Sequence, residues 1–109
     1  MVKTVNALTA KHWLDAGNAV LVDVREPAEY AAASIAGATL IPIGTISRKA
    51  LPDVTDKKLV IHCHSGVRSA NACELLQAQD PKLDAYNLEG GIVAWGQAGL
   101  PLINKGIPS

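Results

Sequence analysis

Leu59-Val60-Ile61-His62-Cys63-His64-Ser65-Gly66-Val67-Arg68-Ser69 is the stretch whose reading decides the fold. Leu59-Val60-Ile61 is apolar at consecutive positions, the pattern of a strand covered on both faces. Beyond the loop, Ala70, Ala72, Cys73 and Leu76 recur at helical spacing, which predicts a helix over Val67–Gln79 that stops before Pro81. Between them Gly66 supplies a backbone conformation closed to other residues. Cys63 therefore lies at the carboxyl end of a strand and faces the amino end of a helix. Open α/β sheets bind ligands there, and unpaired amides and the helix dipole favour negative charge. A thiolate is such a charge, so the pattern predicts a depressed pKa and a usable nucleophile at Cys63. The competing reading of a cysteine ending a core strand is a small hydrophobe. Gly66 and Arg68 weigh against it, because an apolar loop has no use for a guanidinium so close to a thiol and an anion site does.

Working outward, Ala19-Val20-Leu21-Val22-Asp23-Val24 is a second continuous apolar run and a second buried parallel strand. Thr4-Val5-Asn6 is a short edge strand, Thr39-Leu40-Ile41 a strand before Pro42, and Leu83–Leu88 a strand alternating enough to sit near a sheet edge. A helix is predicted from Thr9, as N-cap, to Ala16, with Trp13 and Leu14 facing the core and Gly17 as its stop. Another starts in Arg25–Tyr30 with Pro27 in its first turn. Ile43–Ala50 holds a helical turn or two. After the turn Glu89-Gly90-Gly91, Ile92–Gln97 is a helix closed by Gly99 and Pro101. Strands alternating with helices at this spacing imply an α/β fold, a parallel sheet with helices on both faces in three layers. Right-handed crossovers then bring the loops after Val24, Cys63 and Glu89 to one rim.

The chain has 109 residues, enough for one core, and is expected to form a single domain over 1–109. Hydrophobic residues make up 49% and charged residues 18%, which excludes a disordered chain. Lysine plus arginine and aspartate plus glutamate stand at ten each, so the basic excess that nucleic acid or a membrane surface demands is missing. No apolar run approaches the roughly 20 residues of a membrane span, and the start lacks the apolar segment of a signal peptide. Two cysteines flanking a strand-to-helix junction do not suggest a disulfide scaffold, so a reducing, cytoplasmic setting is expected.

The loop Cys63–Ser69 resembles the active-site loop of the rhodanese-homology sulfurtransferases. Two further stretches resemble that family independently. One is Asp23-Val24-Arg25-Glu26-Pro27-Ala28-Glu29-Tyr30 with Ile35-Ala36-Gly37-Ala38; the other runs from Glu89-Gly90-Gly91 through Trp95 to Gly99-Leu100-Pro101. They follow the family's order across nearly the whole chain. Ser34 stands where the family often has histidine. The resemblance implies a five-stranded parallel sheet of order 3-2-4-5-1, as in the stand-alone single-domain members. It implies that Cys63 takes a sulfane sulfur from a donor such as thiosulfate and holds it as a persulfide. Cyanide in the assay, or a thiol in the cell, would remove it, and a sulfur-accepting protein is a further possible partner. The site would consist of Cys63 with His64, Ser65, Gly66, Val67 and Arg68, whose amides nest the terminal sulfur while Arg68 adds positive charge for an anionic donor. Neither cofactor nor metal is implied.

Rival readings attach to the same residues. Tyrosine phosphatases and arsenate reductases also close a cysteine loop on an arginine, but with five residues between; here four separate Cys63 from Arg68. A catalytically silent binding module is the next alternative, though such modules usually lack the cysteine. Thiol oxidoreduction would need Cys73 as partner, yet Cys73 falls on the apolar Ala72–Leu76 face. His62, Cys63 and His64 alternate in direction and do not converge on a metal. His12 is expected on the surface, Asp23 with Arg25 as a structural ion pair, and Trp95 in the core. Ser65 and Ser69 are candidates either to hydrogen-bond the persulfide or to cap the helix.

Overall fold

Alternate residues of the two most apolar strands go to opposite faces, and each face has its own core. From the central strand, Leu59, Ile61 and Cys63 join one cluster with Val22, Val24, Ala72, Cys73 and Leu76. Val60 joins the other, with Leu21, Leu88, Ile92 and Trp95. A strand buried on both sides has no wet face to mark with polar residues, which is why these runs read as continuous. Each such aliphatic side chain contributes about 2 kcal/mol by leaving water.

The computed structural model describes residues 2–104; Met1 and residues 105–109, the ends of the expected 1–109 domain, lie outside the described residues. In chain order the elements are β1 (Lys3–Val5), α1 (Ala7–Asp15), β2 (Ala19–Asp23), α2 (Pro27–Ala32), β3 (Ala33–Ser34), β4 (Thr39–Leu40), β5 (Lys58–His62), α3 (Val67–Gln79), β6 (Ala85–Leu88), α4 (Gly91–Gln97) and β7 (Ile103–Asn104). Two 3-10 turns, Ile43–Thr45 and Arg48–Ala50, link β4 to β5. The main sheet is parallel in the order β1-β6-β5-β2-β4. Numbered along the chain and read from its β4 edge, this is the expected 3-2-4-5-1. Among the described residues, no helix is long and apolar enough to cross a membrane.

Three details differ from the sequence reading. The first helix is capped by Asn6, whose Oδ1 accepts the Thr9 N–H at 2.8 Å, so Thr9 sits inside the first turn rather than at the cap. Its fully buried residues are Ala7 and Ala10, while Trp13 and Leu14 are half-buried against the second core. The third is an antiparallel ribbon of β3 and β7 that joins Ala33–Ser34 to Ile103–Asn104 outside the main sheet. Helix α2 is set by a reciprocal cap between Glu26 and Glu29, with Pro27 in its first turn as read.

Candidate functional site

Strand β5 ends at His62, so Cys63 is the first residue off the sheet, and Gly66 at φ +110° turns the chain into α3. This loop curls around the Cys63 sulfur. The Gly66 N–H donates to Sγ at 3.1 Å and the Ser69 N–H at 3.4 Å, while the Ser69 hydroxyl lies 3.3 Å away. Cys63 is 1% exposed. Burial alone pushes its thiol up. The Ser69 hydroxyl and the N–H groups of Ser69, Gly66 and Ser65 together outweigh burial and hold the thiol below its ordinary value. Burial first, and the Glu74 charge beside it, push the Cys73 thiol up to about 12.

The loop is held from behind. The Ile92 N–H donates to the Cys63 carbonyl at 2.9 Å and the Val93 N–H to the His64 carbonyl at 3.3 Å. Gly91 sits against that backbone: a Cβ there would fall 2.4 Å from the His64 oxygen and 2.5 Å from the Cys63 oxygen. Asn87, buried at the end of β6, closes the ring from the side. Its Nδ2 donates to the Gly66 carbonyl at 3.0 Å and its Oδ1 accepts the Ser69 hydroxyl. The fixed amides need no reorganisation when charge develops on sulfur, whereas the Ser69 hydroxyl has one proton, which goes either to Asn87 Oδ1 or to the sulfur.

Of the residues read from the sequence, Ser65 and Gly66 turn their amides to the Cys63 sulfur, and Arg68 acts on it only by charge. The side chains of His64, Ser65 and Val67 are exposed, Val67 by 69%. Ser69, not Ser65, places its hydroxyl on the sulfur. Arg68 is engaged by a residue the sequence reading did not single out. Its Nη1 and Nη2 donate to Oε1 and Oε2 of Glu29 at 2.7 and 2.9 Å. The Arg68 guanidinium holds the Glu29 carboxyl down to about 2. The only hint of this in the sequence is a carboxylate on the first helix after a strand that shares the rim with Cys63.

Behind the rim the Asp23–Arg25 pair is structural, as read. Arg25 Nη2 meets Asp23 Oδ2 at 2.8 Å and the Ala33 carbonyl at 2.7 Å, with both side chains buried. Strand register sets Asp23 opposite His62. The buried imidazole has its Nε2 3.6 Å from Asp23 Oδ2, and burial, partly opposed by Asp23, pushes its pKa down. The Ser34 hydroxyl is buried with no hydrogen-bond partner among the described residues. Among the described residues no three His, Cys, Asp or Glu side chains gather as a metal site. A wide concavity of about 770 Å³ lies at the opposite end of the sheet, around Trp13, Lys58 and Asp84. Its Lys58–Asp84 and Arg48–Asp80 charges pair with one another, and no cysteine lines it.

The family model described as "Rhodanese-like domain" matches residues 6–98. A protein of Allochromatium vinosum named sulfurtransferase is 39% identical over 89 residues, covering 82% of each chain. An uncharacterized protein of Synechocystis is 39% identical over 84 residues, 77% of this chain; the matched segment spans 46% of that relative's length. A crystal structure of a rhodanese-related protein from Thermoplasma volcanium superposes with a TM-score of 0.78 at 31% identity, covering 93% of this chain and 97% of that one.

Proposed function

The chain belongs to the rhodanese-like domain family, and from that premise we propose that it is a sulfurtransferase that works through a Cys63 persulfide. The Cys63 thiolate attacks the sulfane sulfur of thiosulfate or a similar donor. A new S–S bond forms, the donor's S–S bond breaks, and sulfite leaves with the electron pair. A thiophile, cyanide in the assay and a small thiol or sulfur-accepting protein in the cell, then attacks the outer sulfur and returns Cys63 as thiolate. The amides of Ser65, Gly66 and Ser69 and the Ser69 hydroxyl hold the anionic sulfur in both states, while His64, Val67 and Arg68 form the mouth. The groups that hold the Cys63 thiol below its ordinary value enlarge its thiolate fraction, and the cycle needs no general base where that thiolate is populated. A cycle that needs a free thiol suits the cytoplasm.

The observation that carries the reading is the convergence of two N–H groups and one hydroxyl on a single sulfur, at 3.1 to 3.4 Å. Intact-protein mass after thiosulfate treatment tests it. The expected result is one extra sulfur atom, removed by cyanide as thiocyanate and missing in Cys63→Ser, a variant that keeps the wild-type melting temperature. An adduct that persists in Cys63→Ser overturns the assignment. The absence of any adduct on the reduced protein turns the reading to a silent binding module, and turnover of a phosphate ester turns it to the phosphatase class.

A further inference from the structure

We propose that Glu29 selects the donor by charge: by holding both Nη atoms of Arg68, it favours sulfane donors with one negative charge over those with two. The inference rests on the sulfur-transfer reading above and names its substrate class, the monoanionic sulfane compounds R–S–S⁻ and R–SO₂–S⁻.

Two observations carry it. The first is that Glu29 is fixed independently of Arg68. Its Oε1 also accepts the Glu26 N–H at 2.9 Å as half of the reciprocal cap on α2, so the carboxylate stays in place when substrate approaches. The second is the charge count at the mouth. Arg68 lies in the first turn of α3, five residues from Cys63, and the anions that act on it are Glu29, the Cys63 thiolate and Glu26. Arg25, the other guanidinium behind this rim, is buried and locked to Asp23 and the Ala33 carbonyl, so it cannot turn toward a donor. A donor therefore meets a thiolate next to an ion pair that is already neutral.

The chemistry is the same for both charges. Cys63–S⁻ with S₂O₃²⁻ gives Cys63–S–S⁻ and SO₃²⁻, gathering three negative charges. Cys63–S⁻ with CH₃SO₂S⁻ gives Cys63–S–S⁻ and CH₃SO₂⁻, gathering two. The two donors differ by one O⁻ replaced with methyl, so their comparison isolates charge. Arg68 and Glu29 are each about one-third exposed (34% for both side chains), so substrate and salt both reach the pair.

The test measures kcat/KM for thiosulfate and for methanethiosulfonate, with cyanide as acceptor, in the wild type, Glu29→Gln and the double variant Glu29→Gln/Arg68→Gln. Removing one negative charge at this range and exposure raises the thiosulfate value on the order of tenfold. The effect on a monoanion is half as large in logarithm, or about threefold. The double variant loses both gains, because the cation that Glu29→Gln releases is gone. A Glu29→Gln change that is equal for the two donors, or no gain for thiosulfate, overturns the proposal, since a merely structural role for Glu29 does not distinguish them. Salt dependence gives a second readout that needs no variant to fold. In the wild type, raising ionic strength increases the thiosulfate-to-methanethiosulfonate ratio by screening the excess repulsion, and a flat ratio refutes the proposal. If the wild type takes sulfur from neither donor, the sulfur-transfer reading itself fails and Glu29 selectivity falls with it. If it takes sulfur from both at a salt-insensitive ratio, only the Glu29 proposal falls.

Discussion

Replacing Gly91 with alanine places a methyl group against the backbone that carries the candidate nucleophile. Gly91 has φ +57°, where an L side chain costs about 1–2 kcal/mol. The added Cβ would lie 2.4 Å from the His64 oxygen, 2.5 Å from the Cys63 oxygen and 2.7 Å from the His64 carbonyl carbon. These are main-chain atoms at a strand-to-helix junction, not the free end of a side chain, so the loop itself must move. Moving it stretches the bonds from the Ile92 and Val93 N–H groups to the Cys63 and His64 carbonyls, at about 1 kcal/mol each. The sum is about 3–4 kcal/mol, a large share of the roughly 5–15 kcal/mol that holds a domain folded. Gly17→Ala is the matched control: its φ is +76° with nothing within 4 Å, so it carries the backbone strain alone, about 1–2 kcal/mol. Urea unfolding midpoints give both values, provided the denaturant slope is unchanged. The pH dependence of iodoacetamide alkylation reports Cys63 in the folded variant, because Cys73 stays protonated with its pKa at about 12. Displaced amides raise the Cys63 midpoint in Gly91→Ala and leave it unmoved in Gly17→Ala. Equal destabilisation by the two substitutions refutes the claim that Gly91 is there to let this backbone pass.

Further outcomes follow from the same geometry. Ser69→Ala removes a hydroxyl 3.3 Å from the sulfur and raises the alkylation midpoint of Cys63 by about one pH unit; an unmoved midpoint takes the hydroxyl out of the account. His62 is held below its ordinary 6.5 by burial, so below that pH the unfolded chain binds a proton that the folded chain refuses. Stability therefore falls as pH drops from 6.5 toward the folded value. His62→Gln flattens that part of a urea-midpoint series, and an unchanged slope assigns it to another group. Glu29 has the acid-side counterpart: its carboxyl is lowered from 4.5 to about 2, so its contribution is complete above 4.5 and lost as pH falls through 2. At one-third exposure that contribution stays under about 1 kcal/mol, and Glu29→Gln shows a correspondingly shallower acid limb, which high salt also produces in the wild type.

The parts of the fold legible in the sequence are those with a long, unbroken signal. Strands β2 and β5 announce themselves by unbroken apolar runs, and α3 has the boundaries Val67–Gln79 that its spacing predicts. The β3–β7 ribbon is two residues on each side, too short to have a period, and its partners Ala33–Ser34 and Ile103–Asn104 lie far apart in the chain. The first helix start was displaced because Asn6 and Thr9 are both good caps, and only the chain's path from β1 chooses between them. At the site, Cys63 and Gly66 are legible because strand, loop and helix are contiguous there. Glu29 and Asn87 reach the loop from other crossovers, through sheet order rather than spacing. Asn87 did leave a trace, as a polar residue between Tyr86 and Leu88 near the end of an otherwise apolar strand.

The depth of the Cys63 sulfur, in a residue only 1% exposed, acts as a sieve. The expected consequence is that small electrophiles alkylate or oxidise Cys63 faster than bulky ones. In the persulfide proposed above, the outer sulfur would stand about 2 Å beyond Sγ. Thiophiles would then meet that atom while Sγ itself stays sheltered.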